Sequence, residues 1–108
     1  MTYPIEIMQA ADAAIHAEFN VAMQKFPAWD YISLPRMARI LSEECGEAVQ
    51  AINDYLETLD MQAPGCDIKP LLECDLKHFL KEIAQVGGVA RRILCEMELR
   101  KQKEETYE

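Results

Sequence analysis

The sequence predicts an all-α protein, an antiparallel helical bundle, and three observations carry that expectation. Apolar residues recur at steps of three and four along three separate stretches. No stretch alternates apolar and polar residues as a half-buried strand does, and there is no internal repeat or low-complexity tract. A segment with two prolines and a second with Pro-Gly and a further proline divide the three stretches from one another. With 108 residues the chain is expected to form one domain over its whole length, 1–108, burying roughly 60 to 70% of its unfolded surface.

The first helix is expected from Pro4 to about Phe26, with Met8, Ala11, Ile15, Phe19, Met23 and Phe26 as its apolar stripe. Thr2 is placed to cap it, and Pro4 is tolerated in a first turn whose amides have no partner anyway. The stretch "KFPAWDYISLPR" then breaks the pattern with two prolines, and Ser33 just ahead of Pro35 reads as the start signal of a second helix. That helix is expected to reach about Glu57, with a core stripe of Leu34, Met37 or Ala38, Leu41, Cys45, Ala48, Ile52 and Tyr55. The Pro-Gly segment "TLDMQAPGCDIKP" reads as a loop.

A third helical pattern runs from about Leu71 to Lys101, with Leu72, Leu76, Phe79, Ile83, Val86, Ala90, Ile93 or Leu94 and Met97 on one side. At 1.5 Å per residue it would be about 50 Å long, so a kink or break is expected, most naturally at Gly87-Gly88. Two adjacent glycines cost a helix about 1 kcal/mol each relative to alanine. Something must approach the backbone closely there, either a crossing helix or a ligand. Three such helices seldom close a core alone, so completion of the bundle by further copies is expected, as a homodimer or homotetramer.

Eleven Lys and Arg against nineteen Asp and Glu give a net charge of -8. That charge repels nucleic-acid polymers and anionic membrane surfaces, and no basic patch is concentrated beyond Arg91-Arg92 and the C-terminal "RKQKEETYE". A small anionic partner would need a cation to mediate. Cys45, Cys66, Cys74 and Cys95 form no CxxC pair and have no His at zinc-ligand spacing. They are expected to be reduced thiols acting as small buried hydrophobes, in a cytoplasmic chain without a signal peptide or membrane span.

The segment "LSEECGEAVQAIND", residues 41–54, crowds carboxylates onto one part of the second helix. Residues three apart share a helix face, so Glu44 and Glu47 point the same way, beside the stripe of Leu41, Cys45, Ala48 and Ile52. Two carboxylates at that edge repel unless protons, a basic partner or a metal neutralise them, and hard divalent cations favour such oxygen ligands. On the third helix Glu82 and Gln85 are again three apart, and their strip extends to Asp75 and His78 upstream and to Gly88 and Arg92 downstream. Facing oxygen-rich strips are how helical bundles build divalent-metal sites.

These residues carry a family resemblance. "LSEECGEAVQAIND" resembles the EExxE helix of the MazG-like all-α nucleoside triphosphate pyrophosphohydrolases, and "LKEIAQVGGVARRIL" resembles their second acidic helix, ExxD. The resemblance covers somewhat over half of the chain. It implies an all-α bundle of that family's type and Mg²⁺- or Mn²⁺-dependent cleavage of a nucleoside triphosphate to monophosphate and pyrophosphate. On this chain the EExxE positions fall on Glu43, Glu44 and Glu47, and the ExxD positions on Glu82 and Gln85. The implied metal set is therefore Glu44, Glu47, Glu82 and Gln85, while Glu43 or Glu47 would orient or deprotonate the attacking water.

Gln85 departs from the family pattern: an amide oxygen can ligate a metal but brings no charge. The interval between the motifs, with its Pro-Gly loop, is also longer than usual. A rival expectation follows, a non-catalytic helical interaction module descended from the same family. A redox di-metal carboxylate protein ranks lower, because it wants Glu-x-x-His pairs and the nearest match is Asp75-x-x-His78. For substrate contacts the candidates are Lys25, Lys81 and Trp29, with Arg36, Arg91 and Arg92 as further cations able to meet phosphate.

Overall fold

In the computed structural model, residues 2–27 and 32–107 are described, with side chains through residue 104. They form three helices, α1 (Ile5–Lys25), α2 (Leu34–Asp60) and α3 (Lys69–Tyr107), with no strand among the described residues.

Local chemistry explains most of the boundaries. Ser33 caps α2 as the sequence suggests, its hydroxyl accepting from the Arg36 amide at 3.3 Å, with Pro35 in the first turn. Thr2 does not cap α1. Pro4 stands at that position, and its carbonyl takes the amides of Ile7 and Met8. The second helix runs three residues past Glu57 before Gly65, at φ 82°, turns the chain in a conformation that only glycine adopts without strain. The Asp67 carboxylate then accepts from the Lys69 amide at 3.1 Å, opening α3.

Contacts along α3 set the topology. Thr58 donates to Asp75 at 2.5 Å near one end of α2, and near the other end Met37 packs against Val89 and Ile93, so α2 and α3 are antiparallel. On the other side Ile15 lies at Gly87, Glu18 and Phe19 at Gly88, and the carbonyls of Ala22 and Phe26 at Arg92, so α1 runs parallel to α3. Helix α3 is thus the central element, and it passes through Gly87-Gly88 without the expected break. The glycines serve the crossing: the backbone of α1 lies where a Gly88 side chain would be.

The buried face of α3 differs from the apolar stripe that the spacing predicts. Leu76, Ile83, Leu94 and Met97 are exposed, as is Leu80, while Val89 and Arg92 are buried and Glu82, Gln85, Glu96 and Arg100 are half-buried. Polar groups hold this face in place. Arg92 donates to the C-terminal carbonyls of α1, where cations are favoured, and Arg100 donates to the Ile32 carbonyl at 2.7 Å and pairs with Glu96 at 2.9 Å.

The core inside one chain is correspondingly small. Among the described residues Met37, Ala48, Ala51, Ile68 and Val89 are the buried hydrophobics, and α1 has no buried residue. All four cysteines are exposed free thiols, against the expectation of burial, because Cys45, Cys74 and Cys95 lie on helix faces that the other helices leave uncovered and Cys66 lies in the connecting loop. The radius of gyration is 18.1 Å, where a compact domain of this length has about 13 Å. Its accessible surface of 8335 Å² likewise exceeds the roughly 6100 Å² of a compact monomer of this mass. No helix among the described residues is long and apolar enough to cross a membrane.

Candidate metal centre

Antiparallel packing of α2 on α3 brings the two acidic strips together. Glu44, Glu47 and Glu82 each offer a carboxylate oxygen, and the three oxygens lie within 4.8 Å of one another. They line an open cavity of about 310 Å³, whose wall also includes Gln85 from α3 and Glu18, Ala22, Lys25 and Phe26 from α1. That volume is at the lower end of the range for small-molecule sites, about 300 to 1,000 Å³.

The carboxylates are not solvated in the ordinary way. Glu44 and Glu82 are half-buried, and one oxygen of each, Oε2, is sealed from solvent without a hydrogen-bond partner. Leaving a buried polar atom unpaired costs about 1–3 kcal/mol. Glu47 is exposed at the mouth. Burial is the first cause that raises the Glu44 pKa above its ordinary value of 4.5, followed by repulsion from Glu47 and Glu82, with Lys25 opposing. Four carboxylates against one ammonium leave the cavity with a strong excess of negative charge.

The expected site residues divide clearly. Glu44, Glu47, Glu82 and Gln85 meet in one place, and Lys25 stands on the wall beside them. Glu43, about 100° round the helix from Glu44, is exposed and outside the cavity lining, as is Lys81. Trp29 lies outside the described residues. Two of the further cations are otherwise engaged, Arg92 at the α1 carbonyls and Arg91 over the Phe19 ring at 4.9 Å and against His16, while Arg36 is exposed in the first turn of α2, outside the cavity lining. Asp54 turns to Gln50, whose amide donates to it at 2.9 Å.

Lys25 apart, the residues that α1 contributes to the cavity, Glu18 among them, lie outside the sequence-based expectation. Glu18, Ala22 and Lys25 follow one another at steps of four and three and so share one face. That spacing is a signal present in the sequence itself, in residues of α1 outside its apolar stripe.

An unpaired buried oxygen on each of two carboxylates, within reach of a third, suits a hard divalent cation with oxygen ligands. The Gln85 amide oxygen extends that donor set without adding charge. No protein-family model, curated protein or solved structure matches this chain.

Proposed function

We propose that the chain is a MazG-like, cytoplasmic, Mg²⁺- or Mn²⁺-dependent nucleoside triphosphate pyrophosphohydrolase that works as a homodimer or homotetramer. The observation that carries the reading is the meeting of Glu44, Glu47 and Glu82 within 4.8 Å, with two of their oxygens buried and unpartnered, inside a cavity that also holds a lysine. The sequence resemblance places the same residues at the family's acidic positions.

In this reading Glu44, Glu82 and the Gln85 amide oxygen hold the cation together with Glu47. When bound, it supplies charge neutralisation of the phosphates and alignment of the reacting groups. Lys25 offers its ammonium to a phosphate oxygen from the α1 wall. Glu47 is the most accessible of the three carboxylates and receives a proton from the attacking water. The water oxygen bonds to phosphorus as the bond to the bridging oxygen breaks, releasing pyrophosphate. Completion by further copies is supported by the exposed Leu76, Leu80, Ile83 and Leu94 on α3 and by the excess surface of the single chain.

Incubation of the pure protein with ribo- and deoxyribonucleoside triphosphates and Mg²⁺ or Mn²⁺ tests this directly, and monophosphate plus pyrophosphate is the expected product pair. The metal should also raise the melting temperature by linkage, about 2.7 kcal/mol at a hundredfold excess over Kd. Glu47→Ala should abolish both effects.

One observation favours a second reading, a non-catalytic binding module. Gln85 lines the cavity where the family carries an acid. Stabilisation by metal without any turnover would select that reading.

A further inference from the structure

The two oxygens of Glu82 are in different circumstances. Oε2 is buried and unpartnered, whereas Oε1 lies 3.1 Å from Nε2 of His78, one turn upstream on the same helix. An ionised carboxylate only accepts hydrogen bonds, so Nε2 carries the hydrogen and donates it. His78 is itself 56% exposed and Glu82 14%.

A bond of this kind adds little to stability, since exposed pairs four apart on a helix contribute about 0.3–0.5 kcal/mol. Its consequence is orientational. The terminal torsion of a glutamate is broad and roughly two-fold, so a free carboxylate turns easily. Repulsion from Glu44 and Glu47 would favour turning Glu82 away from them. The His78 donor opposes that by holding Oε1, while Oε2 stays buried and without a hydrogen-bond partner.

The other acid upstream on this strip is not available to disturb the arrangement, because Asp75 accepts from Thr58 of α2 at 2.5 Å. We propose that His78 is a positioning residue that holds Glu82 with one oxygen tied back and the other presented to a divalent cation. This rests on the metal site proposed above and adds to it a residue that touches neither metal nor substrate. Partners of ligating carboxylates outside the ligand set typically change metal affinity by about 10- to 100-fold when removed. The half-exposed donor here belongs at or below the lower edge of that range.

Mn²⁺ binding, followed by calorimetry and by the spin-resonance signal of the free ion, tests the role at pH 8 in wild type, His78→Ala, His78→Gln and Glu82→Gln. His78→Ala should bind Mn²⁺ about 3- to 10-fold more weakly, with an unchanged melting temperature in EDTA. His78→Gln, whose amide nitrogen can take the place of Nε2, should recover affinity to within about twofold. Glu82→Gln should lose binding further than either. If wild type takes up no Mn²⁺, the metal reading falls and the His78 role with it. If Glu82→Gln is impaired but His78→Ala matches wild type, only the His78 role is overturned. Failure of His78→Gln to recover, or a lowered metal-free melting temperature in His78→Ala, would also overturn it in favour of a structural role.

Discussion

Gly88→Ala and Gly46→Ala make the same chemical change in two helices and should have opposite effects. In an exposed helix interior, alanine is better than glycine by about 0.8–1.0 kcal/mol. Gly46 is exposed on α2 with nothing within 4 Å of the position a Cβ would take, so the variant should gain about that amount. At Gly88 the added carbon would lie 2.8 Å from the Phe19 amide nitrogen and 2.9 Å from the Glu18 carbonyl carbon, where ordinary contact begins at 3.4 Å. Both are backbone atoms, so no side-chain rotation relieves the clash and α1 must move away. Overpacking of this kind costs about 1–3 kcal/mol. The net expectation for Gly88→Ala is a loss of up to about 2 kcal/mol after the gain in helix propensity. Urea unfolding at fixed protein concentration reads the difference, and the two midpoints should separate by about 1 M. The displacement should also weaken any substrate effect that depends on Lys25, since α1 carries Glu18 and Lys25 into the cavity. Stabilisation of Gly88→Ala equal to that of Gly46→Ala would refute the packing of α1 on α3.

The remaining predictions concern the acids and the exposed surface. Because the Glu44 pKa is raised, its charged form is penalised in the fold: it contributes nothing below about 4.5 and an increasing loss as pH rises through its folded value. In EDTA, Glu44→Gln should therefore be more stable relative to wild type at pH 7 than at pH 5. A gap independent of pH would remove the electrostatic account. Gln85→Asp should tighten Mg²⁺ binding by about tenfold, equal to about 1.4 kcal/mol, while Gln50→Asp, outside the cavity, should not. Unchanged affinity in a folded Gln85→Asp would mean that Gln85 does not face the cation. Light scattering should give at least twice the chain mass, since so much apolar surface lies exposed on α1 and α3. A stable monomer would count against the oligomeric bundle.

Three helices, the Ser33 start of the second and the Pro-Gly break before the third were legible because they depend on local chemistry: hydrophobic spacing, a capping hydroxyl and residues that interrupt helices. That Glu44 and Glu47 share a face was legible for the same reason, since three-residue spacing places carboxylates on one face whatever the helix packs against, whereas their approach to Glu82 depends on how α2 packs on α3. Which face packs, however, is a relation between helices, and spacing along one helix does not contain it. Leu76, Ile83 and Leu94 form the more apolar stripe of α3, yet within this chain α3 turns Val89, Arg92 and Arg100 to its neighbours. Only the packing revealed that Arg92 was committed to the carbonyls of α1 and was not a free cation for phosphate. Gly87-Gly88 left two readings open, a crossing helix or a ligand, and the backbone of α1 at Gly88 decided between them. Glu18 is the same lesson at the site. Its neighbours in sequence are unremarkable, and it becomes part of the cavity because a missing Cβ on another helix lets its backbone come close.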